Sequence, residues 1–499
     1  MDLDERQAAV PRILTSPWLI GGIALVLLAV RVVGAGIGRD SGVWTYVGWL
    51  WREYGLPPYT GAVDNKTPGI HMLYALSIRY FGLTIWPHAV LGGAAVLGAG
   101  SLLYAMAARL CNRFAGAVTM VLFCFAMAWH SLNGPLFVEP FMVFFAVLAF
   151  ALVVFSADSA SPRTRALGAL LAGMAGGFAV GFKQTALLDG LALLVLFILL
   201  ARRRSDGPGR IASGAGLIIA GAAIATGLTI VPLLLSGGSL ADYWDGAWLT
   251  LLRGSGASAA RRLYEFVRAW GASKMMLFYP LIVLFVAQRK RLCAWGVPVA
   301  GLMSWLVLEF MAANASGCMW GHQIQGVLPT FALTGGIAAA GVLDLVGGRD
   351  QAARRRLARL LLVLFAFMWL PYEVVVKKAD LFYFERPEDQ TRPMAAWVRE
   401  NVPADEYVYA YDRSAGTVLA LAGRRSPSRH FHNHFMESPV IAGEVQRDLA
   451  ERPPAVVLIA NDTLPTPPQW LYEMIEREYS SLGEMYDYQV FERSGPGSP

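Results

Sequence analysis

The sequence predicts a polytopic α-helical membrane protein with a small α/β domain at its C-terminal end. Three observations point there. Of 499 residues, 56% are hydrophobic and 16% charged, with a positive mean hydropathy, which is too apolar for a water-soluble chain of this size. About twelve apolar runs recur along the chain, most of them near the ~20 residues that a helix needs to cross a bilayer. From about residue 377 the composition changes to short alternating strands and amphipathic helices.

The first apolar run, 18 to 35, follows a mixture of Asp2, Asp4, Glu5, Arg6 and Arg12 and lacks a small-residue cleavage signature, so it reads as a retained anchor. Further runs fall near 67–83, 87–108, 114–131, 136–156, 165–182, 185–201, 211–236, 274–288, 292–313, 323–346 and 357–376. The predicted number of spans is thus eleven to thirteen. Arg202-Arg203-Arg204, Arg289-Lys290-Arg291 and Arg354-Arg355-Arg356 each follow or precede such a run and mark cytoplasmic loops by the positive-inside rule. They supply much of the formal net charge of +6, which therefore does not signal nucleic-acid binding. Loops near 37–66 and 237–273, the stretch 314–322 and the chain from 377 onward then fall on the opposite, extracytoplasmic side. One count does not close: seven runs separate the first two loops, where an even number is required. The short run 67–83, or a break around Gly181-Phe182-Lys183-Gln184, is the place to look.

Residues 1–376 form the predicted membrane domain and 377–499 a soluble one. Within the latter, 388–402 and 467–478 read as helices and 407–411, 456–460 and 488–493 as strands, before a disordered "SGPGSP" end. Four dispersed cysteines give neither a disulfide framework nor a zinc site. "RHFHNHF" puts His430, His432 and His434 at alternate positions, on one face if the segment is a strand, a weak pattern for a metal or anion. No dinucleotide glycine fingerprint, Walker loop or G-x-S-x-G is present.

The stretch "GRDSGVWTYVGWLWREYGLPPYTGAVDNKTPG", residues 38–69, carries the chemistry. Trp44, Val47, Trp51 and Tyr54 share a helical face, with Tyr46 and Trp49 alongside, as in a helix lying in the membrane interface. Asp40 stands at its N-terminal edge, as an N-cap or as a free carboxylate. "LPPY" enforces an extended turn, and "DNKTPG" leads into a helix start with Pro68 near the first position. A helix N-terminus beside Lys66 is a natural phosphate site, and a lysine snorkelling at a span end is the simpler alternative.

In order, these motifs resemble those of bacterial GT-C glycosyltransferases of the polyprenyl-phosphate-sugar-dependent group. That group includes the aminoarabinose transferase of lipid A, the galacturonic acid transferases of rhizobial lipopolysaccharide and, more distantly, the protein O-mannosyltransferases. The resemblance is greatest in the opening loop, where Lys66-Thr67-Pro68 stands for the group's K-P-P. It continues in "FVEPFMVFFAVLAF", placing Glu139, in "AGGFAVGFKQTALL", placing Lys183, and in "GCMWGHQIQGVLPTFAL", where His322 is kept and Gln323 replaces a tyrosine.

The resemblance implies transfer of a sugar from a polyprenyl-phosphate donor to an extracytoplasmic acceptor, with inversion, in a bacterial inner membrane. Lipid A, a polysaccharide or another cell-envelope glycan would serve as acceptor, or a protein hydroxyl in the O-mannosyltransferase variant. Asp40 would be the base; Lys66, Lys183, His322 and Arg261 would hold the lipid phosphate; Asp64 and Glu139 would contact acceptor, sugar or a divalent cation. A lipid-phosphate donor needs one base and phosphate-holding cations, not the two carboxylates of a glycosidase. The 237–273 loop, with its aromatics and Arg261 and Arg262, suits an interfacial segment covering the donor and touching anionic membrane lipids. A transporter or flippase would also account for buried charges such as Glu139, Lys183 and Glu309, but would gather them at mid-membrane.

Overall fold

The structure, a computed structural model, describes residues 15–32, 37–128, 137–250, 260, 263–264, 266–267, 270, 278–315, 321–346, 351–367, 390–461 and 463–494. It divides into two compact units. The first comprises residues 1–33, 89–229 and 257–383; the second comprises 34–88, 230–256 and 384–499.

Among its described residues the first unit is helical, without a β-strand. Six helices of the described chain are long and apolar enough to cross a membrane: Trp86–Leu110, Glu139–Ala157, Pro162–Phe182, Gln184–Arg203, Pro208–Leu235 and Leu328–Leu345. Pro17–Ala29, Arg113–Met127 and Val299–Asn314 are shorter and apolar. Their cohesion cannot come from hydrophobic exclusion alone, because lipid is as apolar as leucine, so close approach matters. The glycine-rich segment shows how. Gly173, Gly177 and Gly181 recur every fourth residue on one face of Pro162–Phe182. A Cβ on Gly173 would lie 2.1 Å from the Ile218 carbonyl oxygen, and one on Gly177 2.4 Å from that of Ala222. Only backbone fits between these two helices. Elsewhere the core is filled by stacked aromatics such as Phe150 on Trp305, ring centroids 3.7 Å apart.

Two of the arginine clusters are held by contacts within this unit. Arg203 donates to the Gly296 carbonyl, and Arg291 pairs with Asp344. Lys183 lies at the other end of the Gln184–Arg203 helix, ~30 Å away by the 1.5 Å rise per residue.

The second unit combines helices with a four-stranded sheet. The strands are β1 (Val408–Tyr411), β2 (Val456–Ala460), β3 (Tyr479–Met485) and β4 (Tyr488–Arg493), in the order β1-β2-β4-β3. β1 and β2 are parallel, whereas β4 runs antiparallel to both β2 and β3. Helices Pro439–Glu451 and Gln469–Glu478 bury Ile441, Val445, Leu449, Leu471 and Ile475 against Tyr409, Tyr411, Val457 and Ile459. The predicted strands and both predicted helices are found, the first helix as Thr391–Asn401. β3 escaped prediction because "YSSLGEM" is polar and bulged at Ser481/Gly483, and it presents all but its ends to solvent.

Two expectations are corrected here. The 67–83 run is not a span. Its helix, Pro68–Phe81, has 14 residues, ~21 Å in length against ~30 Å of hydrocarbon, and buries His71, Tyr74 and Ser77 inside this unit. Without it, five candidate spans and the shorter apolar helix Arg113–Met127 lie between the loops at 38–66 and 237–250 among the described residues. The two loops indeed meet: Trp51 Nε1 donates to Ser236 Oγ at 2.9 Å, and the Tyr59 and Tyr243 rings pack edge-on. The second correction concerns Arg39–Tyr54. It is no one-sided interfacial helix, because every residue from Ser41 to Leu50 is buried. Two glycines allow the cover. A Cβ at Gly42 would lie 2.9 Å from the Thr417 backbone nitrogen, and one at Gly48 2.9 Å from that of Ala75.

Candidate active site

The DNK loop is built by local chemistry. Pro57 and Pro58 hold the chain extended until Tyr59 turns it, with φ of +72°, a conformation rare for a non-glycine residue. The Tyr59 N–H donates to the Ala62 carbonyl at 2.8 Å, and its hydroxyl donates to the Lys66 carbonyl at 2.5 Å. That pair of bonds closes the loop over Asp64. The Asp64 carboxylate accepts the Trp44 indole N–H at 3.0 Å and lies 3.5 Å from His71 Nε2. Burial alone would raise the Asp64 carboxyl; Lys66, His71 and His432 with the Asn65 N–H outweigh it and hold the group below its ordinary value.

Lys66 is half-buried, and its ammonium donates to the neutral Asn65 amide oxygen at 2.5 Å. Thr67 is the N-cap of Pro68–Phe81, yet its buried hydroxyl has no hydrogen-bond partner among the described residues. First-turn N–H groups of a helix lack intrahelical partners, so cation, hydroxyl and helix start together offer donors to an anion.

Asp40 is not the N-cap of its helix. Gly38 is, and Asp40 sits in the first turn, half-exposed, with no hydrogen bond or ion pair to another described residue.

The RHFHNHF segment joins this loop from the far end of the chain. Val63 N–H donates to the Arg429 carbonyl at 2.9 Å, and Phe431 packs on Tyr46 with ring centroids 4.5 Å apart. The segment is not a strand, so the alternation of its histidines does not define a strand face: Asn433–Phe435 forms a single tight turn, capped by His432 Nδ1 accepting the His434 N–H at 3.2 Å. His432 is buried, which pushes its pKa down to about 3, with His434 adding to the burial and Asp64 opposing it. His434 is held below its ordinary value chiefly by burial, with Lys66 adding to the effect and Asp40 opposing it. Arg429 braces the arrangement, donating to Glu444 at 3.0 Å and lying 3.7 Å from both Asp242 and Asp245. Hydrogen bonding from His430, reinforced by Arg429 against a burial cost, lowers Glu444 to about 2.

The remaining predicted residues belong to the first unit. Lys183 ends the Pro162–Phe182 helix in an extended conformation, and its ammonium meets Glu139 Oε1 at 2.6 Å. His322 Nε2 lies 4.0 Å from the same oxygen, its ring stacked on Phe137. Glu139 thus pairs with the two residues expected to hold phosphate. Arg261 and Arg262 lie outside the described residues. Among the described residues no group of three or more His, Cys, Asp or Glu side chains fits a metal ion, and the cation suggested for Asp40, Asp64 and Glu139 finds no such donor set.

Sequence reasoning missed Trp44 and His71 as partners of Asp64, and Asp189, which accepts the Trp305 indole N–H at 2.7 Å with Glu309 beside it. Their signals were present: a histidine one turn into the helix after DNKTP, and acidic residues inside apolar runs.

No family model matches the sequence, and no curated protein matches it. Solved structures share its fold. ArnT from Cupriavidus metallidurans bound to undecaprenyl phosphate superposes with a TM-score of 0.62 at 14% identity, covering 96% of this chain and 98% of that one. The archaeal oligosaccharyltransferase AglB from Archaeoglobus fulgidus, in complex with an inhibitory peptide and a dolichol-phosphate, gives 0.57 at 12% identity, covering 97% of this chain and 75% of that one.

Proposed function

We propose that this chain, whose fold is that of the GT-C glycosyltransferases, is an integral membrane enzyme that moves a sugar from a polyprenyl-phosphate donor to an extracytoplasmic acceptor. A cell-envelope glycan such as lipid A or a polysaccharide is the acceptor class, and a bacterial inner membrane the setting. The observation that carries the reading is the Lys66 ammonium at the start of Pro68–Phe81, beside the unpartnered buried Thr67 hydroxyl, with Asp40 half-exposed in the first turn of Arg39–Tyr54. A carboxylate with no described partner and a half-buried ammonium at a helix start are the two groups such a transfer requires. The lipid phosphates bound to the two structural neighbours are consistent with that chemistry.

In this mechanism Asp40 takes the proton of the acceptor hydroxyl as its oxygen attacks the anomeric carbon. The bond from that carbon to the phosphate oxygen breaks in the same displacement, inverting the centre. Charge grows on the departing polyprenyl phosphate, and Lys66 with the start of Pro68–Phe81 stabilises it. Asp64, its Oδ2 engaged by Trp44, keeps Lys66 in place and offers its other edge to a sugar hydroxyl. Lys183, His322 and Arg261 as donor contacts, and Glu139 as a sugar or acceptor contact, rest on the sequence resemblance alone.

The test supplies purified protein with polyprenyl-phosphate sugars and envelope acceptors, and follows both release of polyprenyl phosphate and the anomeric configuration of the product. Stoichiometric release with inversion supports the reading. The buried acids Asp189 and Glu309 would suit a transporter instead. Movement of intact donor across a sealed bilayer without release would favour that second reading.

A further inference from the structure

Tyr74, on the Pro68–Phe81 helix of the second unit, is buried, and the proposed reaction gives it no role. Its phenol hydroxyl is shut from solvent and has no hydrogen-bond partner among the described residues. A buried donor left unpaired costs stability that phenylalanine, with the same ring, would not forfeit. Such a group persists where function uses it.

The ring is held in one orientation. His88 stacks on it with ring centroids 3.5 Å apart, and Trp44 packs edge-on with centroids 5.9 Å apart. Its base is fixed as well, since a Cβ at Gly48 would lie 2.9 Å from the Tyr74 Cβ. Asp40, Trp44 and Gly48 are spaced i, i+4, i+8 along Arg39–Tyr54 and so follow one face of that helix. From its base at Gly48 the Tyr74 ring thus runs to Trp44, towards the helix start, and Asp40 stands one turn further on. Asp40 is half-exposed, with no hydrogen bond or ion pair to another described residue, so its carboxylate is free to turn. Burial pushes the phenol above its ordinary pKa and the Asp40 charge adds to that, which keeps the hydroxyl a donor. A donor without an acceptor and an acceptor without a donor therefore lie along the same helix face.

We propose that Tyr74 is a positioning residue for Asp40: as the acceptor closes over the site, the carboxylate turns inward and one of its oxygens accepts the Tyr74 O–H. The other oxygen is left to take the acceptor's proton. This rests on the reading of Asp40 as the base. A hydrogen bond from a hydroxyl to a carboxylate is short and charge-assisted, and here the donor is a ring that its neighbours hold still, so the base is fixed in its attacking geometry. A purely structural hydroxyl would already have its partner in the resting protein. One that binds substrate directly would be open to solvent.

Full-length wild type, Tyr74→Phe, Asp40→Asn and the double variant are compared by thermal midpoint and by rates of transfer from a polyprenyl-phosphate sugar to an envelope acceptor extract. Tyr74→Phe is expected to melt at or above the wild-type midpoint. Its kcat falls about tenfold while KM for the donor stays the same. In the Asp40→Asn background the same substitution leaves the residual rate unchanged, because no base remains to be positioned. Equal kcat for wild type and Tyr74→Phe would overturn the proposal while leaving Asp40 as the base. So would an equal loss in both backgrounds, or a lowered midpoint in Tyr74→Phe, which would make the hydroxyl structural. Wild-type transfer by Asp40→Asn would instead overturn the reading of Asp40, and the proposal with it, whatever Tyr74→Phe does.

Discussion

Lys66 differs from an ordinary snorkelling lysine in what surrounds its ammonium. Its hydrogen-bond partner is a neutral amide, and a helix start with an unpartnered buried threonine hydroxyl stands next to it. Lys66→Met is therefore expected to lower the rate of sugar transfer by about 10²- to 10³-fold, the loss typical of removing one charge-stabilising donor, with Lys66→Arg intermediate. Steady-state kinetics on a fixed donor checks this, and unchanged turnover in Lys66→Met would remove the phosphate role. His432 supplies a pH signature. Its folded pKa of about 3 lies below the ordinary 6.5, so the unfolded chain binds more protons between those values. The stability it contributes is complete above pH 6.5 and is lost as pH falls towards 3. Glu444, lowered from 4.5 to about 2, loses its contribution over the lower window, from 4.5 down to 2. Thermal midpoints followed by tryptophan fluorescence should fall between pH 6.5 and 4.5 in the wild type, and fall less in His432→Asn, which keeps an acceptor for the His434 N–H but does not titrate. Equal slopes would contradict the assignment. At this scale Asp40 and Lys66 could be picked out because the opening loop is continuous in sequence. The histidines could not be assigned to it, because the link from Val63 to Arg429 crosses more than three hundred residues of chain and leaves no local pattern.

Among the elements, the Arg39–Tyr54 helix shows where periodicity misleads. Its aromatics recur at helical spacing, and an interfacial helix and a buried one share that pattern. Gly42 and Gly48 held the distinguishing information, since both sit where another helix approaches to backbone contact. Gly42→Val places a branched side chain against Thr417 and is expected to cost about 1–3 kcal/mol through overpacking. Denaturation of full-length protein measures that cost, and Thr417→Ala in the same chain should recover part of it by removing the Oγ1 that a Cβ at Gly42 would meet at 2.0 Å. Wild-type stability in Gly42→Val would show that the crossing is looser than described. The "AGGFAVGF" glycines have the same physical meaning in the first unit, with one small residue each fourth position at a helix crossing. They were legible as a motif, while their partner helix was not, because nothing local in Pro208–Leu235 names the surface it meets.

For the whole molecule, hydropathy was sufficient for the helical membrane class and insufficient for the topology: the described residues contain six helices long and apolar enough to cross and three shorter ones, against the eleven to thirteen spans expected. The 67–83 run is apolar for its length, yet it buries His71, Tyr74 and Ser77 and is too short to cross. With it excluded, the sequence reading of the opening loop and the 237–250 segment on one side of the membrane, with the arginine-rich turns on the other, becomes a prediction that can be tested. Single cysteines at Thr60, Ala241 and Gly207, in a chain whose exposed Cys293 and whose Cys318 are replaced by serine, report this in spheroplasts with an impermeant thiol reagent. The first two should label from outside and the third only after lysis. Labelling of Thr60→Cys and Ala241→Cys from opposite sides would restore the span that the fold removes. The most direct measurement of the central claim compares wild type with Asp40→Asn in the transfer assay, using radiolabelled polyprenyl-phosphate sugar and an envelope acceptor extract. Asparagine keeps the shape of the side chain and cannot take the acceptor's proton. The account predicts a loss of roughly 10²- to 10⁴-fold in transfer by a normally folded variant that still binds donor. Transfer by Asp40→Asn at the wild-type rate would contradict it.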